Sequence, residues 1–114
     1  MTAAPDVKPA LEGAALLPVP RLSTLTEHQV RGITCVWNSA PLHPHNAIDL
    51  GARHTRRAGK PVAWYPRGCR PCVAAAALAQ ITVHAASCRS CQHETVDPCE
   101  TAIALNRLFR EYPR

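Results

Sequence analysis

Aromatic side chains are scarce in this chain: Trp37, Trp64, Tyr65, Phe109 and Tyr112 are all that its 114 residues contain. Aromatics bury the largest areas per residue, so a large aromatic core is excluded. Alanine supplies much of the nominal 46% hydrophobicity, and alanine buries little surface. No apolar run approaches the roughly 20 residues that a membrane-spanning helix needs. The first 20 residues lack a basic start followed by an unbroken apolar stretch, because Pro5, Pro9, Pro18, Pro20, Asp6 and Glu12 interrupt them. The expectation is therefore a cytoplasmic chain with no secretory leader and no membrane partner. Glycine is also sparse, at five residues, and none of them builds a phosphate-cradling loop.

Catalytic patterns are missing too. His93 is followed directly by Glu94, and no Pro-Cys-x2-Cys follows it, so the zinc-deaminase arrangement is absent. Cys69 lies between Arg67 and Arg70, where a thiol can become acidic, but its place in a Cys-x2-Cys pair points to ligation instead. The expectation is a protein that is not an enzyme.

What the chain does have is six cysteines. A chain this short buries a modest fraction of its surface, and a small core commonly needs cross-links. In a reducing compartment thiols persist as thiols, which favours metal ligation over disulfides.

Residues 1–20, rich in Ala and Pro, read as a disordered tail, and residues 21–114 as a single metal-binding domain. Ser23–Val30 reads as a helical turn capped by Ser23 or Thr24. Val30–Trp37 alternates through Ile33, Cys35 and Trp37 and reads as a strand. Ala47–Leu50 and Pro61–Tyr65 read as partner strands, with Arg53–Lys60 as the basic turn between them and Pro66–Pro71 as a tight turn after them. Cys72–His84 is the clearest helix, built on the alanine-rich run from Val73 to Ala79. A loop over residues 85–97 leads to a second helix from Cys99, with Asp97 as its N-cap, Pro98 at its first position and Glu100 completing the cap. The fold class expected is small α+β: a zinc-stabilised β-hairpin followed by two helices.

Two cysteine sets carry the chemistry. The C-terminal set is His84-x3-Cys88-x2-Cys91-x7-Cys99. Cysteines three apart can turn both thiolates toward one ion across a tight loop. A histidine four residues earlier reaches the same point from the end of a helix. Cys99 arrives at a helix start, where the helix dipole favours the thiolate. Three sulfurs and one imidazole form a closed tetrahedral set, for which zinc is the natural occupant. This is the preferred site. The second set is Cys35, Cys69 and Cys72, the last two as Cys69-Arg70-Pro71-Cys72. Its fourth ligand is open between His43, His45, water, or nothing. One or two zinc ions are expected.

The segment His84-x3-Cys88-x2-Cys91 resembles the zinc-binding anti-sigma motif, with the departure that the fourth ligand, Cys99, lies downstream of the histidine. The order knuckle, hairpin, knuckle, helix from Cys35 to His84 resembles a treble-clef or zinc-ribbon module, in which two Cys-x2-Cys pairs share one zinc. It departs from that pattern at Asn38, where a cysteine would stand. The stretches GITCVW, AIDLG and WYPRGCRPC, with the C-terminal cysteines, are similar to small cysteine-rich proteins of actinobacteria. That resemblance implies zinc binding and brings no activity with it.

The net charge of +5 is unevenly spread. Arg53, His54, Arg56, Arg57, Lys60, Arg67 and Arg70 cluster together, and Arg107, Arg110 and Arg114 form a second group. Such a surface favours an acidic partner, either nucleic acid or an acidic protein face. Trp64 and Tyr65 stand beside the first group for stacking. The resulting expectation is a small zinc-binding regulatory or adaptor protein that binds nucleic acid through Arg53, Arg56, Arg57, Lys60, Arg67 and Arg70. The alternative is a protein-binding regulator of anti-sigma type, or an accessory subunit of a larger complex.

Overall fold

The alanine-rich run after Cys72 has strong helix propensity, and the longest element of the protein grows from it. The computed structural model of the chain describes residues 12–92 and 99–112. Helix α2 spans Arg70–Ser87, with Cys69 as its N-cap and Pro71 in the first turn, where a missing N–H leaves no bond unmade. It buries Val73, Ala74 and Ala77. Helix α4, Glu100–Glu111, packs against α2 and buries Ala104, Leu105 and Leu108. Between them a single turn, α3, runs over Arg89–Gln92. No helix among the described residues is long and apolar enough to cross a membrane.

The strands form two separate antiparallel pairs. Strand β2, Arg53–Arg57, pairs with β3, Lys60–Trp64, in the register Arg53 opposite Trp64 and Arg57 opposite Lys60. Ala58 and Gly59 join them with φ of 53° and 78°, the two positive values that a tight hairpin turn needs. Strand β1, Ile48–Asp49, pairs with β4, Arg67–Gly68. This is a small α+β architecture, as the sequence indicates.

The core gathers Leu17, Val36, Ile48, Leu50, Trp64, Val73, Ala77, Leu105 and Leu108. The N-terminal segment joins it through a 3-10 turn at Gly13–Leu16 that packs on α4, and through Leu17, which is fully buried.

Several expectations change in detail. Residues 12–20, placed by composition in a disordered tail, include this turn and Leu17; residues 1–11 lie outside the described residues. The helical turn near residue 27 is α1, Glu27–Val30, and its cap is Thr26, neither Ser23 nor Thr24. Thr26 and Gln29 form a reciprocal capping box. The segment expected to be a strand from Val30 to Trp37 is a succession of turns with one bridge, Thr34 to Pro41. Gly32 at φ 75° breaks it at the start. The partner of Pro61–Tyr65 is Arg53–Arg57, not Ala47–Leu50, which instead pairs with the segment carrying Gly68. Helix α2 continues to Ser87 into the expected loop, and Cys99 itself is the N-cap of α4. Asp97 and Pro98 lie outside the described residues.

Candidate metal centres

The first centre depends on the end of α2. His84 and Cys88 are four residues apart, so both project from one face of the last helical turn. Cys88 is the C-cap and its N–H donates to the His84 carbonyl at 2.8 Å. The chain then turns at once: the N–H groups of Cys91 and Gln92 donate back to the Cys88 carbonyl at 3.2 and 3.1 Å. That turn brings Cys91 round to Cys88. Cys99 joins them as the N-cap of α4.

The four donor atoms of His84, Cys88, Cys91 and Cys99 lie within 4.8 Å of one another. His84 Nε2 is 3.1 Å from Cys99 Sγ, and Cys88 Sγ is 3.9 Å from Cys99 Sγ. A tetrahedral ion with metal–sulfur bonds of about 2.3 Å sets its sulfurs roughly 3.8 Å apart, so the sulfur pair already has the required spacing. A disulfide would need about 2.05 Å, and none of the six cysteines forms one.

Crowding of the thiols is visible in their acidity. Cys91 is pushed up to about 11 by partial desolvation, then by hydrogen bonds with Cys99 and Cys88 and by their charge. Several thiolates this close repel one another unless a cation lies among them.

The second centre is built across the fold. Cys35 leaves the turn after α1, Cys69 caps α2, and Cys72 stands in that helix's first turn. Their sulfurs also lie within 4.8 Å of one another. Cys35 is fully buried, Cys69 nearly so, and Cys72 half-buried. Burial alone would push the Cys35 thiol up, but backbone N–H groups of Asn38, Cys69 and Trp37 and the Cys69 side chain hold it below its ordinary value. The Cys69 N–H donates to Cys35 Sγ at 3.4 Å. Cys72 is pushed up to about 12, first by desolvation and then by its two cysteine neighbours. The hydrogen bonds thus favour the charged form of Cys35, while desolvation and crowding disfavour that of Cys72.

The structure does not bring His43 or His45 into this group. Their rings stack on each other, with centroids 5.6 Å apart and planes 2° from parallel. The His43 N–H donates to Asn46 Oδ1 at 2.7 Å, which fixes their loop as a turn of its own. The side chain beside the cysteines is Asn38, whose Nδ2 is 3.6 Å from Cys69 Sγ.

Sequence reasoning missed Gln29. Its Nε2 donates to the carbonyls of Cys35 and Val36 at 3.3 and 3.1 Å, so α1 clamps the loop that carries the first cysteine. The signal was present: Thr26-x-x-Gln29 is a capping-box pattern.

The basic residues divide into two groups. Arg53 is turned inward, and its guanidinium donates to the carbonyls of Leu17, Ala14 and Leu50. Arg70 lies over the Tyr112 ring, 5.8 Å from its centroid. Arg56 reaches the Gly59 carbonyl at 3.2 Å across the hairpin turn, and Arg57, Lys60 and Arg67 are exposed. Arg56 and Arg57 also line an open cavity of about 550 Å³ with Arg21, Ser23 and Thr55. The one ion pair among the described residues joins Arg31 to Glu27.

The arrangement offers two cysteine-rich groups that can hold a metal ion, one with four donors and one with three. Compared with protein-family models, with curated proteins and with solved structures, the chain finds no match.

Proposed function

We propose that this is a small zinc-binding regulatory or adaptor protein, with a treble-clef-like knuckle at the start of α2 and a closed zinc centre at its end, which presents a basic hairpin to nucleic acid. The observation that carries the metal reading is the convergence of His84, Cys88, Cys91 and Cys99 on one point. A set of three sulfurs and one imidazole suits zinc better than magnesium or calcium, which take oxygen. With four protein donors the site has no vacancy for a substrate, so its role is structural. No carboxylate joins either cysteine group among the described residues, and no general acid or base stands ready beside a metal there.

The nucleic-acid reading rests on the exposed cations. Arg56, Arg57 and Lys60 have no acidic partner among the described residues, and Arg21 extends their surface across the cavity. Such a surface suits phosphate contacts that position a backbone without reading bases. Metal analysis of protein purified without added zinc tests the first part, with between one and two ions per chain expected. A folded, metal-free protein would refute it. Binding to a short duplex at graded salt tests the second part. Replacing Arg56, Arg57 and Lys60 together with Ala should flatten the log–log salt slope by about 0.9 for each phosphate that these side chains neutralise.

A protein partner is the second reading, as a regulator of anti-sigma type or an accessory subunit. Leu78 and Val83 on α2 and Ile103 on α4 favour it, since each leaves an apolar side chain exposed. Absence of binding to DNA or RNA at low salt would select this reading and leave the metal centres untouched.

A further inference from the structure

We propose that the Cys35–Cys69–Cys72 centre holds its metal with an open fourth position, and that this position takes a neutral nitrogen or sulfur donor from outside the chain. The proposal rests on the zinc reading given above and concerns only the three-sulfur centre.

The residue in the fourth place is Asn38, three after Cys35, where a knuckle would supply its second ligand. A carboxamide binds a cation through its oxygen. Here that oxygen accepts the Ala40 N–H at 3.0 Å and is 3.9 Å from Cys69 Sγ. The Nδ2 group, which has no lone pair to give, is the nearer end at 3.6 Å from the same sulfur. Asn38 therefore turns its amide nitrogen toward the Cys69 sulfur and does not complete the coordination. The imidazoles of the following loop, His43 and His45, are stacked on each other and stand outside the cysteine group.

Access supports the same conclusion. Cys35 and Cys69 are buried, so two sides of the centre are closed. Cys72 is half-buried and Asn38 exposed, so the corner between them faces solvent. Charge selects the ligand. Three thiolates around a divalent ion leave a net charge of minus one, which disfavours an anion and favours a neutral donor such as an imidazole. Nothing equivalent exists at the His84 centre, whose four donors come from the chain itself. The protein thus contains its own control.

The test uses the full chain loaded with cobalt(II) in place of zinc, with imidazole as the probe. The ligand-field bands of one of two cobalt ions should shift with imidazole and saturate, and that ion should leave first when a chelator is added. Asn38→Cys supplies a fourth thiolate, so it should abolish the imidazole shift and bring release of that ion close to the rate of the other. Asn38→His, with a neutral imidazole nitrogen of its own to offer, should also reduce the shift and keeps the test open if the cysteine variant does not fold. Wild-type bands indifferent to imidazole, or a shift undiminished in both variants, would overturn the proposal. A single cobalt ion bound only by the His84 centre would overturn it too, while the zinc reading stands. Absence of cobalt binding altogether would remove both.

Discussion

Arg53 donates to the carbonyls of Leu50, Ala14 and Leu17, two of them more than thirty-five residues away in sequence. Burial lowers its pKa from the ordinary arginine value, but an arginine remains charged throughout the physiological range. Its bonds are charge-assisted and each stabilises more than a neutral one. They tie the N-terminal turn to the start of β2. Arg53→Ala should therefore cost about 2 kcal/mol, discounted here because the side chain is only half-buried. Arg56→Ala should stay within about 0.5 kcal/mol, since Arg56 is exposed. Thermal unfolding of both variants with zinc present decides it; equal melting would show that Arg53 is an ordinary surface cation. The cysteines give a second prediction at this scale. Without metal, Cys72 at about 12 and Cys91 at about 11 are protonated at neutral pH. Ligation needs thiolates, so metal binding must release protons, and affinity must fall as pH falls. Proton release counted with an indicator dye in weak buffer checks this, and metal uptake without proton release would contradict the assignment of these residues.

Elements meet at two glycines that leave no room for a side chain. A Cβ on Gly13 would stand 2.5 Å from the Ala104 carbonyl oxygen, which is main chain and cannot turn aside. A Cβ on Gly68 would stand 2.6 Å from the Trp37 ring. Gly13→Ala should push the N-terminal turn off α4 and destabilise by about 1–3 kcal/mol, read as a lower unfolding midpoint in denaturant. A wild-type midpoint would mean that this turn contributes nothing to the fold. The need for Gly13 was not legible in the sequence, because its neighbour Ala104 is some ninety residues distant. Leu17 was hidden for the same reason, since composition reports local preference and not a distant docking partner. Helix α2 was legible because propensity alone specifies it. The four-donor centre was legible because its spacing carries geometry: four residues make one helical turn, and three make a tight knuckle. The hairpin pairing was not. Arg53-His54-Thr55-Arg56-Arg57 lacks apolar alternation, since its side chains are exposed or only half-buried, and its turn depends on Ala58 at positive φ, where a sequence would signal Asn or Gly. The apparent strand through Ile33, Cys35 and Trp37 misled for the opposite reason. Its period of two is produced by a turn that buries Cys35 and Val36 and leaves Ile33 out.

Across the whole molecule, α2 carries a candidate metal centre at each end. Cys72 and His84 are twelve residues apart, which along a helix is about 18 Å, so the two centres stand at opposite ends of one alanine-rich rod. Alanine gives this rod propensity but little buried area, and metal held by the donors at its ends would supply cross-links that its side chains do not. The distal end would depend on them most. Helix α4 reaches α2 through Cys99 at its start and through Leu105 and Leu108 along its length, and the N-terminal turn rests on α4 in turn. Removing one ligand from four should therefore loosen α4 and residues 13–17 together, because in small metal-stabilised modules the free energy of binding is largely free energy of folding. Cys99→Ser should destabilise well beyond the about 0.5 kcal/mol of an ordinary surface change, and should leave only the response of the other centre to a chelator. Amide exchange should quicken in α4 and at Leu17 while β2 and β3, held by their own hairpin, keep wild-type protection. Cys35→Ser should produce the complementary pattern, with faster exchange at α1 and at the β1–β4 pair and with α4 protected. If Cys99→Ser melts like the wild type, or if both variants loosen the same amides, α2 is not divided between two centres.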